Sequence, residues 1–355
     1  FIGAAETVTG SKHLLMTESG AQVLLDCGLY QGLGSETEAM NKHLGLNPLN
    51  IDAVILSHAH VDHCGNLPYL VGQGFTGPIY ATPATRDVCR ILLLDSAHIH
   101  ESDIRFINKR RRKKGEPEIK PLYTVKDAEA CLEQFEVVEF NTDHQINKEL
   151  SFYFSENGHI IGSAAVHINA NENGKFTRLT YTGDIGRYSD PLLKPPGVFR
   201  QADHIICEAT YGDRLHETPE NASEKLLEIV TRTCVEKKGR LIIPAFSLGR
   251  TQEILFVLDR LHNQGRLPQI KIFVDSPLSS SATAVVRQYA SSFNDTLQAY
   301  LKKDPDPFGF PNLTYVQSVE ESQALNHLRE PCVIISASGM ADAGRVKHHL
   351  RYALG

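Results

Sequence analysis

The sequence predicts an α/β protein in two parts: a β-rich domain over residues 1–210 and an α/β domain with a mostly parallel sheet over residues 211–355. Three observations carry this. Short apolar runs of strand length dominate the first part. One of them runs directly into the cluster His58-Ala59-His60-Val61-Asp62-His63. After the proline-rich link 191–196 the rhythm changes to apolar strands alternating with helical segments.

In chain order, Gln22-Val23-Leu24-Leu25-Asp26, Asp52-Ala53-Val54-Ile55-Leu56-Ser57 and Ile79-Tyr80-Ala81 read as strands, each ending in turn or polar residues. Residues 83–108 carry apolar residues at helical spacing, with Pro83 near the start, where its fixed φ suits a first turn. The basic run Lys109-Arg110-Arg111-Arg112-Lys113-Lys114 follows, then Gly115 and Pro117, which puts the run at a helix end or in a loop. Strands around 151–154 and 164–168 flank the turn Glu156-Asn157-Gly158-His159, and Leu179-Thr180-Tyr181-Thr182 leads into Gly183-Asp184. In the second part 241–243, 272–275 and 332–336 read as buried strands with helices between them. Neither an internal repeat nor a low-complexity tract is visible beyond the basic run.

Composition narrows the function classes. The chain has 355 residues, 41% hydrophobic and 22% charged, as expected of a globular protein of two ordinary domains or one large domain with an insertion. A net charge of −6 excludes an overall basic nucleic-acid binder, so any such role rests on local patches such as 109–114. The seven cysteines are scattered singly without a C-x-x-C pair, which argues against a disulfide framework and for a reducing, cytoplasmic setting. No segment reads as a signal peptide or membrane span. The chain begins at Phe1 rather than methionine, so a few residues are expected to precede it.

Three histidines and an aspartate within six residues after a strand form a strong metal-ligand motif, because imidazole and carboxylate are ligands that zinc and similar divalent ions accept. An extended loop start lets His58 and His60 face one way while Asp62 and His63 serve a neighbouring position, so one loop can supply two adjacent metals. A metal pair of this kind clamps the attacking and leaving oxygens of a phosphodiester. Asp26 at a strand end, His159 in Gly158-His159-Ile160-Ile161-Gly162-Ser163 and Asp184 in Thr182-Gly183-Asp184-Ile185-Gly186 complete the set by order and placement. Taken singly, each of the three has an ordinary explanation as a turn or satisfied polar residue.

This pattern resembles the metallo-β-lactamase superfamily, whose fold is an αββα sandwich with a dinuclear zinc site. The resemblance implies two Zn2+ ions: His58, His60 and His159 on one metal, Asp62 and His63 on the other, Asp184 bridging, and Asp26 as a buried carboxylate that orients a ligand. Ile206-Cys207-Glu208-Ala209-Thr210-Tyr211-Gly212, Pro244-Ala245-Phe246-Ser247-Leu248-Gly249-Arg250-Thr251-Gln252-Glu253, Asp275-Ser276-Pro277, Ser336-Ala337-Ser338-Gly339-Met340 and the N-terminal 3–11 segment are similar to motifs of its nucleic-acid-processing β-CASP branch. The likeness is greatest to prokaryotic ribonucleases related to the eukaryotic nuclease that cleaves pre-mRNA 3′ ends. It implies hydrolysis of single-stranded RNA in a cleft between the two domains, leaving a 5′-phosphate and a 3′-hydroxyl, with a homodimer as a candidate assembly.

Within that resemblance Asp62, Asp184 and Glu208 are the candidate catalytic residues, Glu208 by orienting an acid-assisting histidine. Arg250 is a candidate for a substrate phosphate, for which its guanidinium fork is well shaped. Ser338-Gly339-Met340, if a helix follows directly, is expected to aim backbone N–H groups at an anion. Similar proteins carry two further histidines after the Ser-Gly-Met segment. This chain stops at Gly355 before either, so the closing strands of the metal domain are expected to lie outside it. His348 and His349 fall on a predicted helix and are not assigned to the site. The alternatives kept open are a DNA-directed nuclease, a small-molecule metallo-hydrolase, and a catalytically silent RNA-binding scaffold of a processing complex.

Overall fold

In the computed structural model of the chain, residues 1–32, 34–215, 221–341 and 343–354 are described. They divide into two compact units, Phe1–Asp190 with Lys194–Asp213, and Pro191–Leu193 with Arg214–Gly355.

The first unit opens with β1 (His13–Met16), β2 (Gln22–Leu25), α1 (Thr37–Lys42), β3 (Ala53–Ile55), α2 (Val61–Cys64), α3 (Leu67–Gly72), β4 (Ile79–Ala81), α4 (Pro83–Lys113), α5 (Val125–Leu132) and β5 (Phe135–Val137). The strands form one sheet in the order β1-β2-β3-β4-β5, antiparallel at β1/β2 and parallel thereafter. A second sheet, in the order β10-β9-β8-β7-β6, is built from β6 (His144–Gln145), β7 (Leu150–Glu156), β8 (Ala164–Glu172), β9 (Lys175–Tyr181) and β10 (His204–Ile206). It is antiparallel except at β10/β9.

The two sheets pack face to face. Val23, Leu25, Ala53 and Ile55 of the first share one buried cluster with Phe152, Phe154, Val166, Ile168 and Tyr181 of the second. Alternation then sends Leu24 and Val54 to the opposite face, where they are equally buried, as parallel strands between two covered faces require. Five strand ends of this sandwich carry the polar residues discussed below.

The helix expected over 83–108 runs further, to Lys113, so the basic run forms its last turn rather than a loop. Thr82 caps its start by accepting from Thr85 N, and Pro83 fills the first helical position. At 31 residues α4 is long, but it is heavily charged, and among the described residues no helix is long and apolar enough to cross a membrane.

The second unit contains α6 (Ala222–Val230), β11 (Arg240–Pro244), α7 (Arg250–Asn263), β12 (Lys271–Asp275), α8 (Pro277–Gln288), α9 (Asp295–Leu301), β13 (Leu313–Tyr315), α10 (Val319–His327), β14 (Cys332–Ser336) and α11 (Val346–Leu354). Its sheet has the order β11-β14-β12-β13, with every pair parallel. Val274, Val333 and Ile335 are at most 1% exposed, so the strands read as continuous apolar runs.

Candidate metal centre

The loop from β3 to α2 is locked in place by backbone pairing with the segments before β1 and after β2. Ser11 N donates to Asp62 O, Cys27 N to His63 O and Leu29 N to Val61 O, at 2.8–3.0 Å. The approach is close enough that a Cβ on Gly28 would sit 1.5 Å from Asp62 O, so only glycine fits there. A second close approach joins the other two ligand loops: a Cβ on Gly186 would fall 2.1 Å from the Gly158 carbonyl, and Gly186 N donates to Asn157 O. The Asn157 amide also donates to Thr182 O and Asp184 O. Residues 157–163 and 182–186 are thereby fixed against each other.

These loops bring His58, His60, His159 and Asp184 together. His60 Nδ1 lies 3.2 Å from His58 Nε2 and 3.1 Å from His159 Nε2, while Asp184 Oδ2 lies 3.7 Å from His58 Nε2 and 3.5 Å from His159 Nε2. Bonds of 2.0–2.1 Å to a tetrahedral cation place ligand atoms about 3.3 Å apart, and the four distances bracket that edge. The donor set of three imidazoles and a carboxylate therefore fits a divalent metal.

Asp184 turns its other oxygen to the neighbouring position: Oδ1 lies 3.2 Å from His63 Nε2, and Asp62 Oδ2 is 3.9 Å from the same nitrogen. The two carboxylate oxygens of Asp184 thus face two different groups of candidate ligands. Glu208, by contrast, accepts from the backbone N–H of Ile185 and of Thr210, and so braces the loop that carries Asp184.

Asp26 is fully buried behind these ligands, with a backbone φ of 57° that side-chain-bearing residues rarely adopt. Its Oδ1 accepts from Ser57 N at 2.7 Å, and its Oδ2 faces Ser57 Oγ, His63 Nδ1 and Tyr181 OH at 2.6–2.7 Å. With its lone pairs so occupied, Asp26 is an orienting group rather than a ligand. His63 Nδ1–H donates to it, so the proton that a metal would displace from His63 is the one on Nε2, the nitrogen that faces Asp184. The same logic passes through Ser57. Its hydroxyl donates to Asp26, so at 3.0 Å it must accept from His58 Nδ1–H, leaving Nε2 free.

The electrostatics agree with a cation site. Burial, then repulsion from His63, holds His58 well below the usual imidazole range; burial, then His159, takes His60 down to about 3; and burial lowers His159. Three neutral imidazoles face one another at ordinary pH, which is the protonation state a metal requires. Burial also lowers His63, but its bonds to Asp184 and Asp26 outweigh that and raise it well above the usual value. Burial raises Asp62. For Asp184 the upward push of burial is overcome, first by His63, and the carboxyl is taken down to about 2.

The remaining residues singled out in the sequence lie in the second unit. Arg250 opens α7, exposed, with Nη1 2.9 Å from Glu253 Oε2. Ser338-Gly339-Met340 follows β14, but α11 begins only at Val346, so the expectation of a helix directly after the segment is corrected. Ser338 N donates to Ala343 O and Ala341 N to Ser338 O, which turns the chain before the helix starts.

Sequence reasoning missed Ser57, Tyr181 and Lys12. Lys12 is wholly buried, donates to Gly28 O at 3.0 Å and stands over the Tyr30 ring, holding the glycine segment against Asp62. A strand-end serine beside the first histidine was the available signal for Ser57. For Tyr181 and Lys12 none existed, since both are defined by long-range contact.

Comparison with known proteins agrees with this geometry. Residues 14–144 match the metallo-β-lactamase superfamily model and residues 251–355 the Beta-Casp domain model. The chain is 35% identical over 354 residues to Ribonuclease TTHA0252 of Thermus thermophilus, covering 99% of this chain and 75% of the relative. It is 30% identical to the RNase J-like protein of Methanocaldococcus jannaschii, covering 99% and 73%. To Cleavage and polyadenylation specificity factor 73 of Drosophila melanogaster it is 30% identical over 97% of this chain, which spans about half (47%) of that relative's length. The chain belongs to the β-CASP branch of the metallo-β-lactamase superfamily of metal-dependent hydrolases.

Proposed function

We propose that the chain is a zinc-dependent ribonuclease that hydrolyses phosphodiesters of single-stranded RNA, in RNA processing or degradation. The observation that carries this is the convergence of His58 Nε2, His60 Nδ1, His159 Nε2 and Asp184 Oδ2 at tetrahedral spacing, in a chain whose relatives include named ribonucleases. His58, His60 and His159 would hold one metal, Asp62 and His63 a second, and Asp184 would face both. A bound pair of divalent ions supplies charge neutralisation at a phosphate and lowers the pKa of water toward about 7.

The protein's own residues do the positioning. Asp26, directly and through Ser57, keeps the His63 and His58 protons on Nδ1, away from the metal face. Glu208 holds the Asp184 loop through Ile185 N. Asp62 and Asp184 are the carboxylates at the centre; burial raises the Asp62 carboxyl, while contact with His63 holds that of Asp184 down. Arg250 and the Ser338-Gly339-Met340 segment are proposed substrate contacts, Arg250 because an exposed guanidinium at a helix start can fork onto a phosphate once released from Glu253. The seven free thiols support a reducing, cytoplasmic setting, and a homodimer is the proposed assembly.

The test is a paired assay of the purified protein on 5′-labelled and internally labelled single-stranded RNA, with matched DNA and metal analysis of the same sample. RNA cleavage with about two zinc ions per chain, absent in His60→Ala, supports the reading, and product sizes separate endo- from exonucleolytic action. RNA bound by the metal-loaded protein but left intact makes it a scaffold, and preference for DNA makes it a deoxyribonuclease.

A further inference from the structure

The metal centre leaves one sequence feature unused: the basic run. It forms the last turn and C-cap of α4 and is tied to the segment that follows. The buried Asn108 amide donates to Ile119 O at 2.9 Å and accepts from Ile119 N at 3.0 Å, and Arg111 Nε donates to Pro117 O at 2.6 Å, so the segment after the helix clamps its end. Two of the six cations are neutralised locally, Arg111 by Glu116 at 3.1 Å and Arg112 by Glu118 at 3.2 Å. Among the described residues, Lys109, Arg110, Lys113 and Lys114 have no carboxylate partner, and all four are exposed.

They stand beside an exposed aromatic ring. Phe106 is 58% exposed, and the Arg110 guanidinium lies 4.4 Å over its ring centre. Positions 106, 109, 110 and 113 share one helix face. Four unpaired cations on a preorganised helix, with a ring and a planar guanidinium available for stacking, match the chemistry of a single-stranded polyanion with exposed bases. In a chain of net charge −6 such a concentration is not the average of its surface.

The position of α4 supplies the rest. Its first turn touches the metal-ligand loop: Thr82 Oγ1 and Thr85 Oγ1 donate to Gly162 O at 2.6 and 2.9 Å, three residues from His159. At about 1.5 Å per residue, Lys109 lies about 40 Å along the helix from that contact. A stacked strand, rising about 3.4 Å per nucleotide, covers that distance with about 12 nucleotides.

We propose that the far end of α4, comprising Phe106, Lys109, Arg110, Lys113 and Lys114, is a distal docking site for the RNA strand whose scissile phosphate occupies the metal centre. This rests on the ribonuclease reading and adds a length requirement to it. Strands too short to reach from the centre to the far end of α4 are handled by the centre alone, and longer ones gain affinity from the distal cations.

The test compares the zinc-loaded parent with a combined Lys109→Gln, Arg110→Gln, Lys113→Gln and Lys114→Gln variant, since glutamine keeps helix propensity while removing charge. Cleavage is measured on RNA of about 5 and about 30 nucleotides over a salt series. The expected result is unchanged kcat/KM on the short strand and a fall of about tenfold or more on the long one. The salt dependence on the long strand should flatten by up to about 0.7 per lost contact in log–log slope. Phe106→Ala should give a smaller loss confined to the long strand. Equal behaviour of parent and variant on the long strand, or equal loss at both lengths, overturns the proposal while leaving the ribonuclease reading intact. So does loss of binding to phosphatidylserine vesicles with RNA kinetics unchanged. A parent that cleaves neither strand overturns both.

Discussion

Two buried aspartates, one in each unit, make the same kind of contact and serve different ends. Asp26 follows β2, and Asp275 ends β12; both are fully buried and each faces a histidine nitrogen, at 2.6 Å for His63 and 2.5 Å for His349. The difference lies at the far side of each ring. His63 turns its second nitrogen toward Asp184 and Asp62. His349 spends its second nitrogen on Asn326 Oδ1 at 2.9 Å, and Asp275 is further held by Ser322 Oγ and Arg345 Nη1. A carboxylate–histidine pair is therefore a metal-site element only where the second nitrogen is left to face other donors. Where both nitrogens are used, the pair ties a helix to a strand, here α11 to β12. On this ground His349 is structural.

The largest effect expected on this contrast comes from His60, whose Nδ1 is common to both of the short imidazole contacts. His60→Ala should lose metal from the first position and take phosphodiesterase activity to background, while the fold survives. Metal analysis and melting curves on the same preparation check this. Retention of full activity would falsify the assignment of the centre.

Next comes Asp26→Asn. An amide at that position presents N–H to a group that must itself donate, so His63 is driven to carry its proton on Nε2, toward the metal. Metal affinity should fall about 10–100-fold, the usual cost of losing such a carboxylate partner. The paired variant is His349→Ala. It leaves Asp275 with Ser322 and Arg345 and should cost about 1–3 kcal/mol of stability, with metal content unchanged. Titration with a zinc chelator, together with urea unfolding, separates the two. Release of metal by His349→Ala as well would mean that the Asp275–His349 pair is not purely structural.

The same contrast explains what could be read from the sequence. The candidate ligands were legible because a metal-binding pattern is written locally: three histidines and an aspartate in one loop after a strand, then His159 and Asp184 beside glycines. The central strands 53–55, 79–81 and 332–336 were legible from apolar runs. Tyr181 was not, because its role exists only where it meets Asp26, 155 residues away, and Ser57 offered no more than its place at a strand end beside His58. Strands such as β6 and β13, of two and three residues, carry no period to detect. The end of α4 was open because residues 109–114 have no apolar position to betray a helical face; the Asn108–Ile119 pair decides it. The segment 338–340 read as a helix start because its turn, built from Ser338 and Ala343 backbone contacts, has no side-chain signature.

The smallest effect sharpens the comparison within the second unit. Asp259 on α7 is as buried as Asp275, but among the described residues it has no cation beside it: its Oδ2 accepts from Tyr300 OH at 2.6 Å, and its Oδ1 has no partner there. Burial pushes its carboxyl up to about 6, against the pull of Tyr300 and with help from Asp304 and Asp306. For Asp275 burial pushes the same way, but His349, Ser322 and Arg345 prevail and the carboxyl is held below the usual range. The two should therefore respond oppositely to pH. With an unfolded value of about 3.9, the favourable contribution of Asp259 is complete below that pH and is lost as pH rises through about 6. That of Asp275 is present above about pH 4 and is lost as pH falls through its depressed value. Asp259→Asn keeps an acceptor for Tyr300 and removes the buried charge, so it should stabilise the protein by about 1 kcal/mol near pH 8, with the gain vanishing toward pH 4. Asp275→Asn should do the reverse, with its large loss near pH 8 shrinking as the solution is acidified. Urea unfolding of both variants and the parent at the two pH values reads the signs directly. Parallel pH trends in the two variants would mean that ion pairing does not set the behaviour of these carboxylates.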